Sequence, residues 1–363
     1  MVNLLDKIKK YFGSKHNREE TSLDKFYFSE LFQFICEIFD FIEIKDENEF
    51  EKENTYDDIH AQDSKEIEKK SSTNNLYKAE KILNQINNSI GEFKIQTPTI
   101  LHKTEDNFSF LIGDYNHNKC LDLYAIKKSS TDTNSTEVHV LSGKNNFQSW
   151  LMQTGTILHE TEDNFNFCLG DYNNDGFLDL YAIKKSRTGT NSTEVHILSG
   201  KNNFQSWLMQ TGTILHETED NFNFCLGDYN NDGYLDLYAI KKSRTGTNST
   251  EVHVLSGKNN FHSFLLQTGT KLHETDDNWE FGVSNYSGKG KNDLYCIKKN
   301  NTDTNSTEVH ILDGSNNYQS WLLQTGTKLH ETYENFCFVP YKNSLYSIKK
   351  NGINSTEVHI LNV

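Results

Sequence analysis

The 363-residue sequence predicts an all-β protein built as a five-bladed β-propeller of four-stranded blades, and three observations carry that prediction. A phrase recurs at a spacing of 57 residues: GDYNNDG begins at Gly170 and Gly227, with looser copies at Gly113 and Ser284 and a shortened one over Asn335–Lys350. Within a copy, short alternating runs rich in Phe, Tyr, Ile, Val and Leu are separated by turn clusters, and no helical period intervenes. The fifth copy stops at Val363 after its third run, whereas a run matching the fourth stands before the first copy. Four antiparallel strands in a unit of this length make one blade, and a strand lent from the N-terminal side closes the ring.

Residues 1–45 are expected to form a helical N-terminal extension. Over Phe26–Ile44 a helix would gather Phe28, Leu31, Phe32, Ile35, Phe39 and Ile42 on one face, while Glu30, Glu37 and Asp40 disfavour an anionic lipid surface. Its two readings are a docking helix for a partner and a helix packed within the protein. Residues 46–90 are rich in Asp, Glu, Lys and Asn and read as an acidic flexible linker, with a short helix over Leu76–Ile90. Residues 91–363 are the propeller.

In the second copy the strands are expected at Phe165–Gly170, Leu178–Lys184, Thr193–Leu198 and Gln205–Thr211. Asn-Asp-Gly, Arg-Thr-Gly and Ser-Gly-Lys-Asn-Asn supply the turns. Phe93–His102 matches Trp150–His159 and is the closing strand, which leaves no open sheet edge at the ring's seam.

The residues with the clearest chemistry lie between the first and second strands. Asp171, Asn173, Asp175 and Asp179, with the Phe177 carbonyl, form a D-x-N-x-D-G-x-x-D loop. Asp228, Asn230, Asp232, Asp236 and the Tyr234 carbonyl repeat it. Hard Ca2+ takes six to eight oxygens, and alternate residues of a tight loop turn theirs inward, so both loops are read as calcium sites. The first copy keeps Asp114, Asn116, Asn118 and Asp122 but places Lys119 at the glycine position, and is the weaker site. The fourth keeps Asp293 with Ser287 and Lys289, and is expected to bind nothing. Calcium so placed pins two strands together and is not positioned as a Lewis acid.

Other repeated polar residues admit two readings each. Glu194 and His196, like Glu251 and His253, share a face of the third strand, as a hydrogen-bonded ladder or half of a zinc site. Trp150, Trp207 and Trp321 suit outer-sheet packing or sugar stacking. The Asn-Ser-Thr triplets are turn residues or, in a secreted chain, glycosylation acceptors. Six scattered cysteines without a CxxC pair are expected to be free thiols.

The loops, with Gly-Asp before them and Leu-Asp-Leu-Tyr after, resemble the FG-GAP/VCBS type of propeller repeat. The phrase from Asn-Ser-Thr-Glu-Val-His to Thr-Ile-Leu-His-Glu-Thr is similar to repeats appended to microbial secreted hydrolases, muramidases among them. In shape, a five-bladed ring resembles tachylectin-type lectins. The resemblance covers Phe93–Val363 and implies adhesion or glycan binding.

A net charge of -15 disfavours nucleic acid as a partner, and no run of eighteen apolar residues predicts a transmembrane helix. Met1–Tyr11 lacks the apolar core of a secretory signal, so the cytoplasm is the expected compartment; the calcium loops and the resemblance favour the extracellular alternative. No GxSxG, HExxH or phosphate-loop motif occurs. The expectation is therefore not an enzyme but a non-catalytic, calcium-stabilised module binding a glycan through repeated pockets. The alternative is a protein-interaction scaffold using the ring and the Phe-rich helix.

Overall fold

Five separate antiparallel sheets of four strands arise from the five copies. The computed structural model describes residues 90–363, so the expected helical extension and acidic linker lie outside the described residues. Blade 1 comprises Phe108–Gly113, Asp122–Lys127, Ser135–Leu141 and Trp150–His159. Blade 2 comprises Phe165–Gly170, Asp179–Lys184, Ser192–Leu198 and Trp207–His216. Blade 3 runs over Phe222–Gly227, Asp236–Lys241, Ser249–Leu255 and Phe264–His273, and blade 4 over Trp279–Ser284, Asp293–Lys298, Ser306–Leu312 and Trp321–His330. Blade 5 takes Phe336–Tyr341, Ser344–Lys349 and Ser355–Asn362 from the C-terminus and Phe93–His102 as its fourth strand.

The first three strands match the sequence pattern because their alternation is strict. The fourth is displaced and longer than expected: Trp207–His216 replaces Gln205–Thr211, so that His159 and His216 end strands. The reason is local. Pairing with the third strand shifts register between Ile197 and Leu198 and again between Ser192 and Glu194. A bulge resets the two-residue period, so the polar stretch Gln-Thr-Gly-Thr does not read as strand. Within it the Thr213 hydroxyl accepts a hydrogen bond from the Leu215 N–H at 3.1 Å, satisfying a donor that the interrupted ladder leaves over.

The core lies between blades. Tyr181, Ile183, Val195 and Ile197 on one face of blade 2 pack against Phe224, Leu237, Ala239 and Leu255 of blade 3, all buried. Polar joints lock each neighbour to the next. The Thr250 and Thr275 hydroxyls meet at 3.3 Å, and Thr275 N–H donates to the Lys242 carbonyl at 2.8 Å. The seam repeats this chemistry, with Thr104 and Thr356 hydroxyls at 3.1 Å and Thr104 N–H on the Lys350 carbonyl at 3.0 Å. The five first strands face one another around the ring's axis and line a channel of about 250 Å3.

Candidate functional site

Repetition makes departures visible. The second residue of each first strand lines the axial channel, and going round the ring these are Ser109, Asn166, Asn223, Glu280 and Cys337. Among them Glu280 alone is a carboxylic acid. It is half-buried, and its Oε1 accepts the Phe338 N–H of the next blade at 3.0 Å, as the Asn166 oxygen accepts the Phe224 N–H at 3.1 Å. Burial raises the Glu280 carboxyl above the ordinary range, against the opposing pull of that N–H and of Lys299, Lys350 and Lys242. Burial and the Glu280 charge push the neighbouring Cys337 thiol up to about 12, which disfavours its thiolate.

The same symmetry is broken at the channel's rim. The turn before each first strand carries an acid that pairs with a lysine of the preceding blade: Lys128–Asp163 at 2.7 Å, Lys185–Asp220 at 2.7 Å, Lys242–Asp277 at 2.6 Å and, across the seam, Lys350–Asp106 at 2.7 Å. At the remaining joint Glu334 replaces aspartate, and no such pair between Lys299 and Glu334 stands among the described residues. Beside Glu334, Tyr333 stands 63% exposed where the other turns carry Glu or Asp. These residues line a cavity of about 870 Å3 together with Asp106, Asp277 and Lys350. Lys299 and Lys350, which line this cavity, are also among the charges that act on Glu280. Sequence reading missed Glu280 because it matches no motif; aligning the five first strands column by column is the signal that finds it.

The expected calcium loops are folded around their own backbone. Asp171 accepts the Asp175 and Gly176 N–H groups at 3.1 and 2.9 Å, and the Asn173 oxygen also accepts Asp175 N–H at 3.1 Å. Asp228, Asn230 and Asp232 repeat these bonds in blade 3. Asp175 accepts the Phe177 N–H at 3.0 Å. Asp179 is fully buried and ties the loop to the turn after the third strand, accepting Tyr172 N–H at 2.9 Å and Gly200 N–H at 2.9 Å. Asp236 does the same with Tyr229 and Gly257. Burial raises both inner carboxyls, Asp179 and Asp236, with the N–H donors opposing and the nearby loop acids adding to the rise. In blade 1, Asp114 accepts Asn118 and Lys119 N–H groups, Asn118 accepts Cys120 N–H, and Asp122 is the buried tie; Asn116 is exposed. Among the described residues no three acidic, histidine or cysteine side chains already close on one point. The donors nonetheless fit a hard cation in kind: all are oxygens, each carboxylate oxygen keeps a second lone pair, and the loop acids raise one another's affinity for a positive charge.

The repeated Glu-x-His forms a chain of bonds within blades 1 to 4, whereas in blade 5 His359 meets Glu357 but its Nδ1 is buried without a hydrogen-bond partner. His196 Nε2 meets Glu194 at 3.2 Å and Nδ1 meets the Gln210 amide at 3.2 Å, and its ring lies 5.9 Å from that of Trp207. The same trio recurs as Glu137–His139–Gln153, Glu251–His253–Gln267 and Glu308–His310–Gln324. Each ladder joins third and fourth strands of one blade. Five cysteines, Cys120, Cys168, Cys225, Cys296 and Cys337, are free.

The FG-GAP-like repeat family model matches residues 171–239, a span holding both complete D-x-N-x-D-G loops. With five blades of the same plan around it, that match decides the repeat type. Those residues form an FG-GAP-like repeat within a five-bladed propeller. No curated protein matches the chain. Among solved structures it is similar to the catalytic domain of the Coprinopsis cinerea GH62 α-L-arabinofuranosidase, at 8% identity and a TM-score of 0.44, over 73% of this chain and 95% of that one. It is also similar to a Podospora anserina α-L-arabinofuranosidase at 7% identity and a TM-score of 0.44, over 76% and 95%. A third, the RS223 β-xylosidase, is 12% identical with a TM-score of 0.43, over 74% and 95%. These likenesses concern the fold. The expectation of a non-catalytic binding module and of no enzyme stands against these neighbours, which are arabinofuranosidases and a xylosidase. In the ring itself, Glu280 supplies a break in symmetry at one place, which no sequence motif marks.

Proposed function

We propose that the axial mouth between blades 4, 5 and 1 is a hydrolytic site for a glycan, with Glu280 as its general acid. The observation that carries this reading is the lone, half-buried, protonation-prone carboxylate in a column of neutral residues. A carboxyl held above its ordinary range keeps its proton to a higher pH than an exposed glutamic acid does, and that proton is the one a general acid gives to a leaving oxygen. In hydrolysis that proton passes to the glycosidic oxygen as its bond to the anomeric carbon breaks. A water oxygen bonds to the same carbon and loses its proton to a rim carboxylate, Asp106 or Glu334, as acid and base pairs do. The rim chemistry suits a polyhydroxylated substrate: carboxylates, amides and ammonium groups for hydroxyls, and the Tyr333 ring as an apolar platform.

Calcium has a separate role in this proposal. It would be held by Asp171, Asn173, Asp175 and the Phe177 carbonyl, and by their counterparts in blade 3, and would neutralise acids that repel one another. The same reading favours an extracellular working place, where calcium is abundant.

The test compares Glu280→Gln with Glu280→Ala on a panel of aryl α- and β-glycosides of pentoses and hexoses. Glutamine keeps an oxygen for the Phe338 N–H but cannot donate the proton, so turnover should fall about 100-fold or more while the melting temperature holds. Alanine should lose both. If the panel is untouched by the wild-type protein, or Glu280→Gln turns over as fast as wild type, Glu280 is an inter-blade latch like Asn166 and the hydrolytic reading falls.

A further inference from the structure

We infer that blade 4 carries its own cation: the Lys289 ammonium, paired with Asp313, stands in for the ion that the loops of blades 2 and 3 take up. This rests on the calcium reading of those two loops and is independent of Glu280. Three positions change together in blade 4. The fifth loop position is Asp175 in blade 2 and Asp232 in blade 3, but Lys289 in blade 4. The residue before the turn glycine is Ser199, then Ser256, but Asp313. The residue after that glycine is Lys201, then Lys258, but Ser315.

The changed residues meet in space. In blade 3 the loop acid and the turn lysine face each other, Lys258 Nζ lying 3.8 Å from Asp232. In blade 4 the polarity is reversed and the pair is tighter, Lys289 Nζ lying 2.9 Å from Asp313. Asp313 is 6% exposed, and Ser315 donates its N–H to the same carboxylate at 2.9 Å, so the acid is held for the lysine. The first and third loop positions are neutral as well, Asn285 and Ser287, and the Asn285 side-chain oxygen is buried without a hydrogen-bond partner. The loop frame survives these changes. Asp293 still accepts Gly314 N–H at 2.9 Å, as Asp236 accepts Gly257 N–H at 2.9 Å. A fixed ammonium needs no loop carboxylates beyond its partner, so the acids that would repel one another without a metal are absent from this blade. The structural consequence is a blade whose loop is complete at any calcium concentration, beside two whose loops respond to it.

The test counts bound Ca2+ by equilibrium dialysis on the intact chain and on two variants, with folding checked by circular dichroism. In one, Asn285→Asp, Ser287→Asn, Lys289→Asp and Asp313→Ser give blade 4 the loop side chains and the turn serine of blade 3. In the other, Asp232→Lys, Ser256→Asp and Lys258→Ser give blade 3 the lysine, the turn acid and the serine of blade 4. The first should bind one more calcium per chain than wild type and the second one fewer. If the second variant folds and keeps the wild-type count, the ammonium does not replace an ion and the inference is overturned, whether or not the first variant folds. It is overturned equally if the first folds with no added ion. A wild-type chain that binds no calcium overturns the calcium reading and this inference with it, an outcome distinct from unchanged variant counts.

Discussion

At the residue scale the protein is a set of polar side chains repeated four or five times, and a small shift in each becomes large when summed. His139, His196, His253 and His310 all sit below the ordinary imidazole value. Burial is the main cause, and it outweighs the glutamate that each ring touches. The unfolded chain, with ordinary imidazoles near 6.5, therefore binds protons more readily than the folded one, and acidification favours unfolding. Their contribution is fully present above the unfolded value and is lost as pH falls through it towards the lowered folded values. The urea midpoint should drop between pH 7.5 and 5.5, and replacing His196 and His253 by Gln should reduce that drop. A midpoint flat across this window would mean that the rings take up protons in the fold as readily as in the unfolded chain. The glutamates were legible in the sequence as ladder partners, because Glu-x-His places both on one strand face; the third member, Gln210, was not. It pairs across a bulge, where counting in twos from the neighbouring strand gives the wrong residue.

At the element scale the limits follow from which turns announce themselves. First, second and third strands were readable to within a residue, because Asn-Asp-Gly and Arg-Thr-Gly mark their ends and alternation is strict between them. The tight turn after the third strand was readable as a turn, but its packing was not. Gly200 lies against the strand ahead of it, and a Cβ there would sit 2.0 Å from the Leu178 carbonyl oxygen, with 1.9 Å at the equivalent Gly257. That contact is backbone to backbone, so no side-chain rotation relieves it. Gly200→Ala should destabilise the protein by about 2–3 kcal/mol in chemical denaturation, the scale of overpacking in a closed site. Gly189, whose added carbon would meet only Glu194 at 3.8 Å, is the control and should change little on the same substitution. Equal effects would show that the turn moves freely and that the Asp179 tie to Gly200 does not hold it.

For the whole molecule the question is whether the ring is shut as firmly at its seam as elsewhere. The seam joins residues about 250 apart in sequence, yet its bonds copy those of an interior joint. Thr356 donates to the His102 carbonyl at 2.9 Å and meets Thr104; Thr250 donates to the His273 carbonyl at 2.9 Å and meets Thr275. Both threonines are fully buried. Valine in either place keeps the shape and removes the hydroxyl, at a cost of about 1–2 kcal/mol for bonds lost and a carbonyl left unpaired. Because the local chemistry is the same, Thr356→Val and Thr250→Val should lower the unfolding free energy by equal amounts. A much smaller effect at Thr356 would mean that the strand Phe93–His102 leaves the ring before global unfolding, so that its bonds are already broken when the remaining blades melt. Equality matters for the axial mouth too, since Asp106 and Lys350, which bridge the seam at 2.7 Å, also line the cavity beside Tyr333 and Glu334. A seam that opened early would take one wall of that cavity with it, and turnover would then fall before the rest of the ring unfolds.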